Sequence, residues 1–282
     1  MSLLYRLLAI DLDGTLLNSR NQLSSGNREA LHRAHEAGLI VSLCTGRNLA
    51  ESRAVIEQIG LDLNAGIFAF GAIVADLAAG KTISRTAMSP ELASRLISHL
   101  SGQGFPMLVL YDAAEMGYDY YFVEGQHNRA AYEQWLSFTP SRTERRSSWT
   151  PQAHAPLRVS VIVEPDRIKQ TMADLRAKFD STQTKINSIY APNYQLHVVE
   201  CFAPNVNKWF GISQLAAQLG IAHEQTAAIG DDVNDVEMIS SAGLGVAMGN
   251  AIPAVVQVSQ LQAPTNDQDG VAWLINRILD QP

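Results

Sequence analysis

Two cysteines, Cys44 and Cys201, in a chain of 282 residues exclude a disulfide scaffold and a thiolate metal cluster. They are expected to be small buried residues in a reducing compartment. Cations are also scarce. Lys and Arg number 21 against 28 Asp and Glu, and the net charge of -7 lacks the basic footprint of a nucleic-acid or membrane-surface protein. No run approaches the roughly 20 apolar residues of a membrane span, and the N-terminus lacks a signal-peptide layout. A cytoplasmic location is the default expectation. The seven histidines are scattered, none with metal-ligand spacing to another His or acid. No repeat or low-complexity tract is present. What remains is 46% hydrophobic and 17% charged, the composition of a soluble globular protein, and the length suggests about two domains.

The chain is organised around Asp11-Leu12-Asp13-Gly14-Thr15, which closes the apolar run Leu7-Leu8-Ala9-Ile10. That run reads as a strand buried on both faces. In extended chain Asp11 and Asp13 project from the same side, where two like charges disfavour each other's ionisation. A metal cation neutralising one, or a proton retained for acid/base work, would relieve this. Gly14 allows a sharp turn and Thr15 supplies a hydroxyl. Taken alone, the motif is better read as a strand followed by an ordinary Asp-Gly turn.

The following segments alternate helix and strand. A helix over 25–37 is ended by Gly38, a buried strand over 39–44 stops at Thr45-Gly46-Arg47, a helix over 48–58 is stopped by Gly60, and a third strand runs near 66–70. This is the order of a doubly wound parallel sheet, in which ligands bind beyond the carboxyl ends of the strands. Around Gly71 the pattern changes. Residues 72–75 and 81–86 read as a hairpin leading out of the sheet. Beyond them lie a helix capped by Ser89, strands near 107–111 and 118–123, a helix over 128–136, and a Pro-, Ser-, Thr- and Arg-rich surface loop over 139–156. A strand over 157–163, a helix over 165–179 and strands over 184–190 and 195–200 complete a mostly antiparallel sheet with one open face. The first pattern then returns: a helix over 207–219 with Lys208 in its first turn, a strand over 226–229 stopping at Gly230-Asp231-Asp232-Val233-Asn234-Asp235, a short helix, a strand over 244–248, a helix near 253–259, the loop 265–270 and a closing helix. The fold expected is α/β: a doubly wound parallel sheet with an inserted α+β domain, residues 1–82 and 201–282 forming the core and 83–200 the insert.

On one sheet edge, Asp11, Asp13, Thr45, Asp231 and Asp235 would converge with Lys208. Acid oxygens without His or Cys suit a hard cation such as Mg²⁺. Lys208, hydroxyls and backbone N–H groups suit a phosphoryl group.

The order and spacing of these pieces resemble the haloacid dehalogenase superfamily of phosphatases, with Asp11–Thr15, Thr45–Arg47, Lys208 and Gly230–Asp235 matching its four motifs. Only about 30 residues separate Asp13 from Thr45, too few for a cap domain there, whereas roughly 160 separate Thr45 from Lys208. With Gly243–Asn250 and Asn266–Gly270, that layout resembles the Cof-type (IIB) sugar-phosphate and cofactor-phosphate phosphatases, which carry an α/β cap there. The resemblance implies Asp11 as nucleophile forming an aspartyl phosphate, and Asp13 as acid and then base. It implies Mg²⁺ on Asp11, Asp231 and the Asp13 backbone carbonyl, with Asp235 acting through water. Thr45 and Lys208 would hold the phosphoryl oxygens, and Gly14, Thr15, Gly46, Arg47 and Asn234 would complete substrate binding. The implied partner is a small phosphorylated metabolite, not nucleic acid or membrane; oligomeric state is not legible. Phe70, where the family often has Asn, and Trp209, where it tends to have Gly, depart from the pattern near the mouth of the site.

Several neighbours have plainer readings. Asp232 reads as a surface acid, and Arg47 equally as a substrate contact, a cap or the partner of an acid. Tyr118, Tyr120 and Tyr121 read as packing residues more than pocket walls. Arg142, Arg145 and Arg146 read as solvated. The glycines of 243–249 lack dinucleotide-fingerprint spacing. Two other functions fit the motifs: a phosphomutase of the phosphomannomutase type, and a phosphometabolite-binding protein without turnover, for which Asp13 would be superfluous.

Overall fold

The computed structural model describes residues 3–61, 63, 65–191 and 195–280. It divides into two compact units, Met1–Ser84 with Asn207–Pro282, and Arg85–Val206. In chain order the first unit begins with β1 (Leu7–Ile10), α1 (Ser25–Glu36), β2 (Ile40–Cys44), α2 (Leu49–Ile59), β3 (Ala65–Phe68), β4 (Ile73–Asp76) and β5 (Lys81–Arg85). The second unit holds α3 (Pro90–Gly102), β6 (Met107–Leu110), α4 (Ala113–Met116), β7 (Tyr120–Val123), α5 (Arg129–Phe138), β8 (Thr143–Arg146), β9 (Arg158–Ile162), α6 (Ile168–Lys178), β10 (Lys185–Ala191) and β11 (Leu196–Phe202). The chain then returns through α7 (Lys208–Gln218), β12 (Thr226–Gly230), α8 (Val236–Ser241), β13 (Leu244–Ala247), α9 (Pro253–Val258), β14 (Leu261–Gln262) and α10 (Gly270–Leu279). The unit boundaries lie a few residues beyond 82/83 and 200/201, because β5 completes the first sheet and β11 runs to Phe202 in the second.

The first sheet has the order β14-β13-β12-β1-β2-β3-β4-β5, and β1 is central, parallel to both β2 and β12. Its side chains alternate between two cores: Leu8 and Ile10 join α1 and α10, while Leu7 and Ala9 join the Ile212 and Leu215 face of α7. Full burial of each such Leu or Ile contributes about 1.5–3 kcal/mol. A strand so enclosed has nowhere to present polar groups except at its end, and Asp11 is the first residue past that end. The helices that follow start at side-chain caps. Asn48 and Glu51 form a capping box on α2, which Gly60 ends in the left-handed conformation. Asn207 accepts from the Phe210 N–H at the start of α7, which fixes Lys208 at the first helical position.

Three expectations are corrected. The hairpin of β4 and β5 does not leave the sheet; β4 pairs antiparallel with β3 and the two strands extend the edge. The stretch 139–156 is not all loop, since Thr143–Arg146 pairs in parallel with β7 as β8. Thr-Glu-Arg-Arg has no apolar alternation because this is an edge strand, where charge blocks further pairing. Nor is a face of the second sheet open at its middle strands β6, β7 and β9. Its order is β10-β11-β9-β6-β7-β8. One face packs on α3 and α6, and on the other α5 sets Trp135 against Tyr120 and Tyr132 against Phe122. Both faces of β6, β7 and β9 are buried. Arg158 and Glu200 pair there at 2.8 Å, and Arg158 donates to the Tyr120 hydroxyl at 2.6 Å.

Candidate active site

The carboxyl ends of β1, β2 and β12 lie side by side in the sheet order, and each ends in a polar group. Asp11 follows β1 and donates its N–H to the Ile229 carbonyl of β12 at 3.1 Å, which carries the sheet register one residue past the strand. Its carboxylate accepts from Lys208 Nζ at 2.5 Å. The same ammonium donates to Asp235 Oδ1 at 2.6 Å. The other Asp235 oxygen accepts the backbone N–H groups of Asp231 (3.0 Å) and Asp232 (3.1 Å), which fastens the loop after β12. Asp235 therefore ties Lys208 to that loop. Asp231 lies over Gly14: a Cβ there would stand 2.3 Å from Asp231 Oδ2, and the Gly14 φ of +83° also favours glycine. Thr15 Oγ1 donates to Asp231 Oδ1 at 2.8 Å.

Oxygens of Asp11, Asp231 and Asp235 lie within 4.8 Å of one another. One ammonium, Lys208, faces all this charge, and it is only 1% exposed. Burial alone would pull the Lys208 pKa down, but the Asp11 and Asp235 carboxylates outweigh it and hold the ammonium protonated well above the usual lysine range. Burial drives Asp11 in the opposite sense from Lys208's attraction, and with Asp235 and Asp231 adding repulsion its pKa stands well above the ordinary carboxyl value. Asp231 is pushed up to about 7, by burial first and by Asp235, against the hydrogen bond from Thr15. Such a pocket has an excess of negative charge and only oxygen donors, which fits a hard divalent cation.

Asp13 is not among these three. Asp13 lies beyond the end of β1, next to the turn at Leu12, and its carboxylate takes Arg47 as partner. Arg47 Nε donates to Asp13 Oδ2 at 2.8 Å and Nη2 to Oδ1, a bidentate pair. Of the three readings of Arg47, the structure realises the partner of an acid. Thr45 is buried at the end of β2 and its hydroxyl accepts the Arg47 N–H at 3.1 Å. Gly46 lies beneath Phe70, whose ring would be 2.3 Å from a Cβ at that position. Asn234 Oδ1 is buried without a hydrogen-bond partner among the described residues. Trp209 packs edge-to-face on His223. Asp232 is exposed and caps the short turn after it, as a surface acid would.

Two features were not read from the sequence. Ala69 and Phe70 both take left-handed φ, +49° and +58°, a conformation for which nothing in an Ala-Phe pair is a signal. Asn250 and Asn266 reach the Gly14–Leu17 loop with their amides; both lie in stretches singled out above, but their side-chain partners are long-range. Elsewhere, Tyr120 and Tyr121 are buried packing residues, and Arg145 pairs with Glu133 and Arg146 with Glu144 at the surface. Both cysteines are buried, with thiol pKa values raised by burial. Among the described residues no helix is long and apolar enough to cross a membrane.

Fold and site together define a haloacid dehalogenase-like hydrolase. The model of that family matches residues 8–275, so the chain belongs to it. Among curated proteins it is 29% identical over 292 residues to phosphatase YwpJ of Bacillus subtilis (strain 168), covering 97% of this chain and 100% of the relative. It is 27% identical over 290 residues to the 5-amino-6-(5-phospho-D-ribitylamino)uracil phosphatase YwtE of the same organism, covering 96% and 97%. A haloacid dehalogenase-like hydrolase from Bacteroides thetaiotaomicron, known as a crystal structure, superposes with a TM-score of 0.80 at 25% identity over 97% of this chain and 99% of that one.

Proposed function

We propose that this protein is a Mg²⁺-dependent phosphatase that hydrolyses small phosphorylated metabolites through an aspartyl phosphate on Asp11. The observation that carries this reading is the Asp11–Lys208–Asp235 chain of hydrogen bonds, 2.5 and 2.6 Å long, beside Asp231. Phosphatase relatives that match nearly the whole chain support it.

Asp11, Asp231 and the backbone carbonyl of Asp13 would hold the cation. Bound there, Mg²⁺ supplies positive charge that lets an anionic phosphoryl group approach the carboxylates. Lys208 holds Asp11 in one orientation and presents its charge to a phosphoryl oxygen. Thr45 and the Asn234 amide offer further polar contacts. An Asp11 oxygen attacks phosphorus, the bond from phosphorus to the ester oxygen breaks, and Asp13 gives the departing alkoxide a proton. Asp13 then takes a proton from water as that water attacks phosphorus, and the phosphorus–Asp11 bond breaks. The Arg47 pair holds the Asp13 carboxyl in place for both proton transfers. Asp235, with both oxygens engaged, anchors Lys208 and the loop after β12.

The test is phosphate release from a panel of sugar, nucleotide and vitamin phosphates, with Mg²⁺ or with chelator. Chelator should abolish release, and Asp11→Asn should lose at least ~10²-fold in rate, the scale of an essential nucleophile. Full activity in Asp11→Asn overturns the covalent route. Conversion of a sugar monophosphate to its isomer with little phosphate released would identify a mutase instead.

A further inference from the structure

The segment after β13 and the turn before α10 lie outside the catalytic motifs, yet their side chains reach into the loop that carries Asp13 and Gly14. Asn250 Nδ2 donates to the Gly14 carbonyl at 2.8 Å. Asn266 Nδ2 donates to the Leu17 carbonyl, three residues on, at 2.9 Å. The two asparagines are joined to each other, since the Asn266 N–H donates to Asn250 Oδ1 at 3.0 Å. Two residues past Asn250, the Ile252 N–H donates to the Asp231 carbonyl at 2.9 Å. One short segment thus grips both halves of the carboxylate pocket: the Gly14 turn through a side chain and the Asp231 loop through the backbone.

The spacing between those halves is tight. Gly14 lies so close under the Asp231 carboxylate that no Cβ fits, and Thr15 holds the same carboxylate by a 2.8 Å hydrogen bond. A shift of the Gly14 peptide by a few tenths of an ångström would move Thr15 and open or close the space above Asp231. Neighbouring contacts hold the rest of the loop: Ser19 N–H to Asp267 Oδ1 at 2.9 Å and Ser24 Oγ to Asp269 Oδ1 at 2.5 Å. Those lie farther along the chain from the pocket, so they serve loop stability while Asn250 and Asn266 act on residues 14–17.

We infer that Asn250 and Asn266 form an amide clamp that positions the Gly14 turn against Asp231 and thereby sets the affinity of the carboxylate pocket for a divalent cation. Neither touches the pocket oxygens in the contacts described, so both are positioning residues. The inference rests on the cation site of the proposed function and adds two residues that control it.

Binding of Mg²⁺ alone, in the absence of any phosphate ester, tests this by titration calorimetry on the full chain. Asn250→Ala, Asn266→Ala and the double variant are compared with wild type, and the metal-free melting temperature of each is recorded. Removing a direct hydrogen-bond partner of a metal ligand weakens binding by about 10–100-fold, and Asn250 and Asn266 act one peptide further out, through the Gly14 turn. Each single variant should therefore raise the Mg²⁺ dissociation constant by about 3–10-fold. The double variant should add much less than the product, because both act through one clamp. Asn250 is exposed, so its replacement leaves the core intact and keeps the test informative should Asn266→Ala unfold. Dissociation constants within twofold of wild type, with only the melting temperature lowered, would overturn the clamp and leave the cation site standing. Failure of the wild-type protein to bind Mg²⁺ would overturn both.

Discussion

Replacing Lys208 by Met keeps most of the side chain's length and apolar stem but deletes the one ammonium between Asp11 and Asp235. Lys208 and Asp235 are almost wholly buried and Asp11 nearly so, so water cannot take the place of the lost charge. Deleting one partner of a buried ion pair costs about 3–5 kcal/mol, because the charge left behind is uncompensated. Here two carboxylates lose their partner, which pushes the cost toward the upper end. Uptake of a proton, made easier by the already raised pKa of Asp11, pulls it back. At about 2–4 °C per kcal/mol for a unit of this size, the first unit of Lys208→Met should melt about 6–20 °C lower in metal-free buffer at pH 8. Scanning calorimetry with chelator measures this. Exposed Lys81, changed to Met, serves as the control and should stay within about 0.5 kcal/mol of wild type. The deficit should shrink at pH 5.5, because Asp11, whose pKa already stands above the ordinary carboxyl value, takes up a proton more readily there and then needs a cation less. A Lys208→Met melting temperature within ~2 °C of wild type at pH 8 would refute the buried charge network.

The same electrostatics predict how pH and Mg²⁺ interact. Asp231 has its pKa raised from 3.8 to about 7 in the folded chain, so the fold holds this proton more tightly than the unfolded chain does; the resulting stability is complete below about pH 4 and is lost as pH rises through 7. Metal-free protein should therefore melt lower at pH 8 than at pH 5, and Mg²⁺ should bind up to tenfold more weakly for each pH unit below 7 as it displaces the proton; equal dissociation constants at pH 5.5 and 8 would refute this. The turn over Gly46 makes a paired prediction. Ala69→Gly removes a left-handed alanine strain of about 1–2 kcal/mol against a glycine entropy cost of about 0.5–1, so its urea midpoint should equal or exceed wild type. Gly71→Ala, with φ +99° and a Cβ that would stand 2.1 Å from the Asn207 carbonyl, should lose at least ~2 kcal/mol, and the opposite order of midpoints would refute the account.

Legibility in the sequence followed the range of the physics involved. The alternation of buried strands with capped helices around β1, α1, β2 and α2 depends on residues within one element, and Asn48 and Gly60 marked the ends of α2 correctly. The charged edge strand β8 and the two-residue β14 have no pattern of their own; they exist because a neighbour offers unpaired backbone groups. The outward direction given to the β4–β5 hairpin failed for the same reason. A hairpin's turn and strands are local, but whether it joins a sheet depends on the edge it meets.

The candidate site divides along the same line. That Asp11, Thr45 and Asp231 come to adjacent strand ends follows from a topology rule applied to local elements. Which partner each side chain takes does not. Asp11 and Asp13, two residues apart, were expected on one side of an extended strand, yet the strand stops at Ile10 and the two carboxylates part, one to Lys208 and the other to Arg47. That separation is itself informative about chemistry. A nucleophile and an acid/base must hold different protonation states in the same cycle, and neighbouring carboxylates of one environment would titrate as a coupled pair. Asp11 meets a wholly buried ammonium, whereas Asp13, itself 35% exposed, meets a guanidinium that is 17% exposed, so the proposed mechanism finds the two aspartates of one turn in different surroundings, as two roles require.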